Sequence, residues 1–228
     1  RIKLAEAGVV RAPLSSPLVL SLIPTYLPSL MARLFESREH SSEHFKLTDS
    51  GKADEPEVAG ILNRLEAART ALLEKVPAPY TRGFASRRIE IVLHPSTSSF
   101  MKATGQPWWA AAATNGNRIQ LQPVALLRKR GVLDEVLRHE LVHVLLEVEA
   151  KGKTPRWLGE ALAIDFAGEA RHYTTVRACP SQTQLERDPF KPSTPAEMKQ
   201  LYACAVQNLR SVRLNKGDSE VWRIATKP

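Results

Sequence analysis

The chain has 228 residues, enough for one large domain or two small ones with a proper core, and its composition is that of an ordinary soluble protein. A net charge of +8 and a pI near 9.7 suit acidic partners, from anionic envelope polymers to nucleic acid, or simply serve solubility. No Lys/Arg-rich block with interleaved aromatics occurs, which argues against a dedicated nucleic-acid module, and there is no internal repeat or low-complexity tract.

The first residue is Arg, and Ala12 to Ala32 carries no charge behind the basic flank of Arg1, Lys3 and Arg11. That is the pattern of an export segment or membrane anchor. Pro13, Pro17, Pro24 and Pro28 break the run, so a proline-rich leader is the competing reading. His40-Ser-Ser-Glu43-His44 matches an inverted H-x-x-E-H metal motif, but its polar surroundings give no buried helix and mark it as a chance match. Phe45 to Thr48 then alternates as a strand, and Asp49 to Pro56 reads as a polar turn. From Glu57 to Val76, apolar residues recur at three and four (Val58, Ile61, Leu62, Leu65, Ala68, Leu72), which predicts an amphipathic helix ended by Pro77 and Pro79. Arg88 to His94 alternates as a half-buried strand. Trp108 to Gln122 reads as a hairpin turning at Asn115-Gly116, although the alanines of its first half also suit a helix. Pro123 to Arg130 is a short helix or turn.

Val132 to Ala150 holds the strongest chemical signal, His139-Glu140-Leu141-Val142-His143 inside a long apolar run. On a helix, residues four apart project from one side, so His139 and His143 can grip one ion. Glu140 lies about 100° further round, within reach of a water on that ion. Leu133, Leu137, Leu141 and Val144 cover one side, while Val132, Val136, Val142 and Leu146 flank the histidines. Such a helix is buried, and burying two imidazoles and a carboxylate is costly unless something pairs with them. Catalytic zinc usually takes three protein ligands. Glu147 sits eight residues from His139, roughly 12 Å along the axis and too far for bonds of about 2 Å. Glu149 fails for a similar reason. The better third ligand is Glu160, on a second helix expected to start with Thr154 as N-cap and Pro155 in its first turn. It shares an apolar face with Trp157, Ala163, Ile164 and Ala167, and the Glu149–Lys153 segment with Gly152 lets the chain reverse.

Beyond Phe166 the pattern weakens. Cys179 and Cys204 lack metal-ligand spacing and fit one disulfide if the protein is exported. Glu197 to Val212 reads as a further helix packing on the ligand helices, and the chain from Asn215 as a polar tail.

HELVH, sixteen residues, then the Glu of WLGEALA resembles the gluzincins, the thermolysin-related zinc peptidases, and in detail the bacterial peptidase MA-like domains. The resemblance runs from about Glu43 to Gln207. Gly159 and Ala161 alter the order that the family shows around its acid. It implies His139, His143 and Glu160 as Zn²⁺ ligands, and Glu140 as the general base for a zinc-activated water. It also implies an edge strand before the zinc helix that pairs with the substrate backbone; small side chains at Ala110 to Ala113 would leave room for it. Related enzymes stabilise the oxyanion with Tyr or His, which here points to Tyr173 or His172. Thermolysin-like enzymes orient a histidine with an aspartate four residues after the ligand glutamate. That place is Ile164, so the partner of the histidines is unassigned.

The expected fold is therefore α+β and gluzincin-like: a small, mostly antiparallel sheet lobe and a helical lobe with zinc between them. Residues 1–42 read as a leader, 43–214 as the catalytic domain (43–131 the α/β lobe, 132–214 the zinc-helix lobe), and 215–228 as the tail. The expected activity is zinc-dependent hydrolysis of peptide or protein substrates outside the cytoplasm, with membrane anchoring through the N-terminal segment. The alternatives are a catalytically inactive, metal-stabilised scaffold for an anionic polymer or protein partner, and a cytoplasmic regulatory gluzincin.

Overall fold

The computed structural model describes residues 37–50, 53–173, 176, 178–180, 185 and 192–227. The uncharged run from Ala12 to Ala32 lies outside the described residues. Strand β1 (Arg38–Ser41) forms inside the span read as leader, and β2 (Phe45–Asp49) follows after a short turn. Helix α1 (Glu55–Lys75) starts where the Asp54 carboxylate accepts from the Glu57 N–H at 2.7 Å, and it stops just short of Pro77. A short α2 (Arg82–Ala85) leads to β3 (Ile89–Leu93), and α3 (Thr97–Thr104) is closed by Gly105 in the left-handed region.

The hairpin is present but shorter than expected: β4 (Ala112–Asn115) and β5 (Arg118–Leu121) turn at Gly116-Asn117. Gly116 takes the positive φ of the first turn position. Trp108 to Ala111 stays out of the strand, because the buried Gln122 amide donates to the carbonyls of Trp108 and Ala110. Strand order is β1-β2-β3-β5-β4. The outer pairs are antiparallel, but β2–β3 and β3–β5 are parallel. The sheet is thus mixed, which corrects the mostly antiparallel expectation. The reason is in the connections: α1 carries the chain from β2 to β3, and α3 from β3 toward β5, each a crossover rather than a hairpin.

Phe45, Leu47, Ile89, Ile91, Ile119 and Leu121 form the buried face of the sheet. Against it pack α1 and α5 (Leu133–Ala150), with the short α4 (Val124–Lys129) between hairpin and α5. Lys151 and Gly152 both take left-handed conformations, with φ of 52° and 74°, and reverse the chain so that α6 (Arg156–Ala167) lies back along α5. Thr154 is not the N-cap of α6: its hydroxyl donates to the Ala225 carbonyl at 2.6 Å. Helix α7 (Pro195–Lys216), capped by Thr194, packs on α6. The polar tail is in fact helix α8 (Asp218–Ala225), which buries Val221, Trp222 and Ala225 in the core. The fold class is α+β. Among the described residues, no helix is long and apolar enough to cross a membrane.

Candidate metal centre

Helix α5 is buried along most of its length, so its geometry is fixed from both sides, and His139 and His143 stand one turn apart with ring centroids 4.9 Å from each other. The reversal at Lys151-Gly152 brings Glu160 of α6 against them. Its Oε2 lies 3.5 Å from His139 Nε2 and 3.8 Å from His143 Nε2. All three donor atoms fall within 4.8 Å of one another. Four ligands at tetrahedral angles and about 2.0–2.1 Å from zinc sit roughly 3.3–3.5 Å apart, so the trio has the right scale. Glu160 Oε2 is buried and makes no close hydrogen bond, the two imidazole nitrogens facing it only at 3.5 and 3.8 Å. A buried carboxylate oxygen held only by such long contacts is under-satisfied, and a divalent cation would satisfy it. The donor set of two imidazoles and one carboxylate could hold a divalent metal ion, zinc among those it suits.

The three side chains also attract one another electrostatically. Burial works against a charged His139, yet Glu160 and Glu169 outweigh it and hold its pKa well above the ordinary histidine range. Burial also opposes charge on Glu160. The His143 and His139 rings and the Tyr202 hydroxyl overcome that and bring its pKa down to about 2.

Glu169 is the histidine partner that sequence reasoning left open. Gly168, left-handed at φ 80°, ends α6 and folds Glu169–His172 back as a 3-10 turn. Glu169 Oε1 then lies 3.1 Å from His139 Nδ1. A proton held on Nδ1 would leave the Nε2 lone pair to a metal ion. The same turn is pinned from the other side, where the buried Glu135 carboxylate accepts from Arg171 and lies 3.2 Å from His172 Nε2. His172, in the wall of the same cleft as the trio, is thereby engaged with Glu135. Tyr202, on α7, was also missed. Its hydroxyl hydrogen-bonds Glu160, and its ring meets that of Tyr173 edge-on at 5.8 Å. Burial and the Glu160 charge raise its phenol pKa, so it remains a neutral donor.

Glu140 points from α5 toward β4, where the Thr114 hydroxyl donates to Oε2 at 2.6 Å. Glu149 faces elsewhere, capping α2 through the Phe84 N–H at 2.7 Å. The two halves of the inverted histidine motif are apart in role. His40 pairs with Asp49 at 3.1 Å, and His44 Nδ1 with Glu66 of α1 at 2.8 Å, on a strand and turn rather than a helix. Cys179 and Cys204 form a disulfide that ties the segment after Tyr173 to α7, two residues from Tyr202.

The candidate ligands open onto a cleft of about 1180 Å³, with Glu140, Glu169, Tyr173 and Tyr202 in its wall. Residues Trp109 to Thr114 run along one side. Strand β4 is the last of its sheet, and Gln122 N donates to Ala111 O. In an alternating ladder this turns the N–H and C=O of Ala112 and Thr114 outward. The arrangement offers a trio that could hold a metal ion, a buried carboxylate beside it and an open strand edge alongside. No protein-family model matches the chain, and no curated protein matches it either.

Proposed function

We propose that the protein is a zinc-dependent metallopeptidase of the gluzincin type, similar to the bacterial peptidase MA-like domains, with the metal held by His139, His143 and Glu160 between the sheet and the helical part. The observation that carries this reading is the convergence of the buried Glu160 Oε2 on both histidine Nε2 atoms, at 3.5 and 3.8 Å with no close hydrogen bond to that oxygen. A zinc ion held there supplies Lewis acidity, polarising a carbonyl and bringing the pKa of a water toward about 7.

The chain's own residues do the rest. Glu140, next to His139, accepts the water's proton and returns it to the leaving amine. Glu169 holds the proton of His139 on Nδ1. Tyr202 steadies Glu160 through its hydroxyl. An extended peptide adds as a further strand to the open edge at Ala112 and Thr114, with the small side chains of Ala110 to Ala113 leaving space. Tyr173, in the cleft wall beside Tyr202, is the donor to the developing oxyanion. The Cys179–Cys204 disulfide supports an oxidising, extracytoplasmic setting.

Glu140→Gln tests the assignment. It should keep its metal and lose peptide hydrolysis by ~10²–10⁴, the usual worth of a general base. Full turnover in the metal-loaded variant would remove Glu140 from the mechanism.

A further inference from the structure

Glu140 is gripped from outside its own helix by a residue that metal binding does not require. Thr114 sits on the outermost strand with its backbone polar groups turned to the open edge, while its hydroxyl reaches α5 and donates to Glu140 Oε2 at 2.6 Å. A glutamate's terminal torsion is broad and roughly two-fold, so an unanchored carboxylate can present either oxygen. A threonine χ1 is restricted by its branched Cβ, so the strand sets the direction of the hydroxyl. The bond is short and charge-assisted, of the stronger kind.

We infer that Thr114 is a positioning residue: its hydroxyl fixes the Glu140 carboxylate so that Oε1 is the oxygen that takes up the proton. Because Thr114 also offers its backbone to the substrate, one residue relates the register of the bound peptide to the base. This inference rests on the metallopeptidase reading.

Thr114→Val keeps the shape and the backbone and removes only the hydroxyl; Thr114→Ser keeps the hydroxyl. With zinc content matched across the proteins, T114V should lose about 10- to 100-fold in kcat, the worth of a hydrogen bond to a charged group, with KM within about twofold. T114S should recover to within about threefold of wild type. Should T114V lose its cooperative melt, Thr114→Ala is read in the same way. In zinc-free T114V crystals the Glu140 carboxylate should leave its wild-type orientation while His139 keeps its contact with Glu169. Wild-type kcat in T114V, a defect confined to KM, a T114S as impaired as T114V, or an unmoved carboxylate would each overturn the inference and leave the enzyme assignment standing. A zinc-loaded wild type without turnover would overturn both.

Discussion

Replacing Glu169 with Ala separates the effect of the carboxylate behind His139 from that of the ligands themselves. The contact removed is a 3.1 Å bond between Oε1 and His139 Nδ1, buried beside the metal trio. A hydrogen bond to a charged group contributes about 1.5–3 kcal/mol, and at 1.4 kcal/mol per decade that is roughly a 10- to 150-fold loss of zinc affinity. Loss of an outer partner of a metal-bound histidine typically costs 10–100-fold, which agrees. The pH dependence sharpens the test. Glu169 also helps to raise the pKa of metal-free His139, so in wild type a proton competes with zinc from well above the ordinary histidine range downward. Without Glu169 that competition begins at lower pH. The affinity gap between wild type and E169A should therefore be widest in alkali and narrow as the pH falls. Competition titration against a chromophoric chelator across pH 6–9 reads this directly. Equal affinities at every pH, or a gap that grows on acidification, would refute the reasoning.

Three further outcomes follow from the packing. Trp222→Ala should cost about 3–5 kcal/mol in urea unfolding, because the indole is buried in the core; a loss below ~1 kcal/mol would mean that α8 does not dock. Gly159→Ala should raise stability by about 0.5–1 kcal/mol, since the added methyl meets Leu146 and Thr154 at ordinary distances of 3.5 and 3.7 Å and a helix interior disfavours glycine; a lower Tm would contradict this. Asp165→Asn should cost ~1 kcal/mol at neutral pH through its lost pairs with Lys75 and Arg213. Burial opposes its charge, but those cations hold its pKa below the usual 3.8, so the contribution is complete above that value and fades as pH falls through the lowered one. Thermal melts should show the two proteins converging in acid, and a gap that widens there would reverse the assignment.

The residues that converge were the legible ones, because helical periodicity fixes them locally. His139, Glu140 and His143 share one helix, and a turn signal at Gly152 plus an acid on an apolar face brought in Glu160. Glu169 and Tyr202 were not legible, since each reaches the site through tertiary placement. Glu169 depends on the reversal at Gly168, and Tyr202 on how α7 lies against α6. A carboxylate just past a helix-ending glycine was the available signal for Glu169. The parallel pairing was hidden for a related reason: alternation in Phe45–Asp49 and Ile89–Leu93 announces a strand but not its direction, which the crossover helices decide. In the tail, four apolar residues, Val221, Trp222, Ile224 and Ala225, stand at helical spacing among Asp218, Glu220 and Arg223, a signal only eight positions long that the polar reading of the chain from Asn215 passed over.

The most direct test is zinc stoichiometry measured by elemental analysis on purified wild type and Glu160→Ala after identical dialysis. About one zinc per wild-type chain, lost from the variant, is the predicted result. A wild type that holds no zinc when it is supplied, or a variant that retains it as tightly, would contradict the convergence of His139, His143 and Glu160 on one cation.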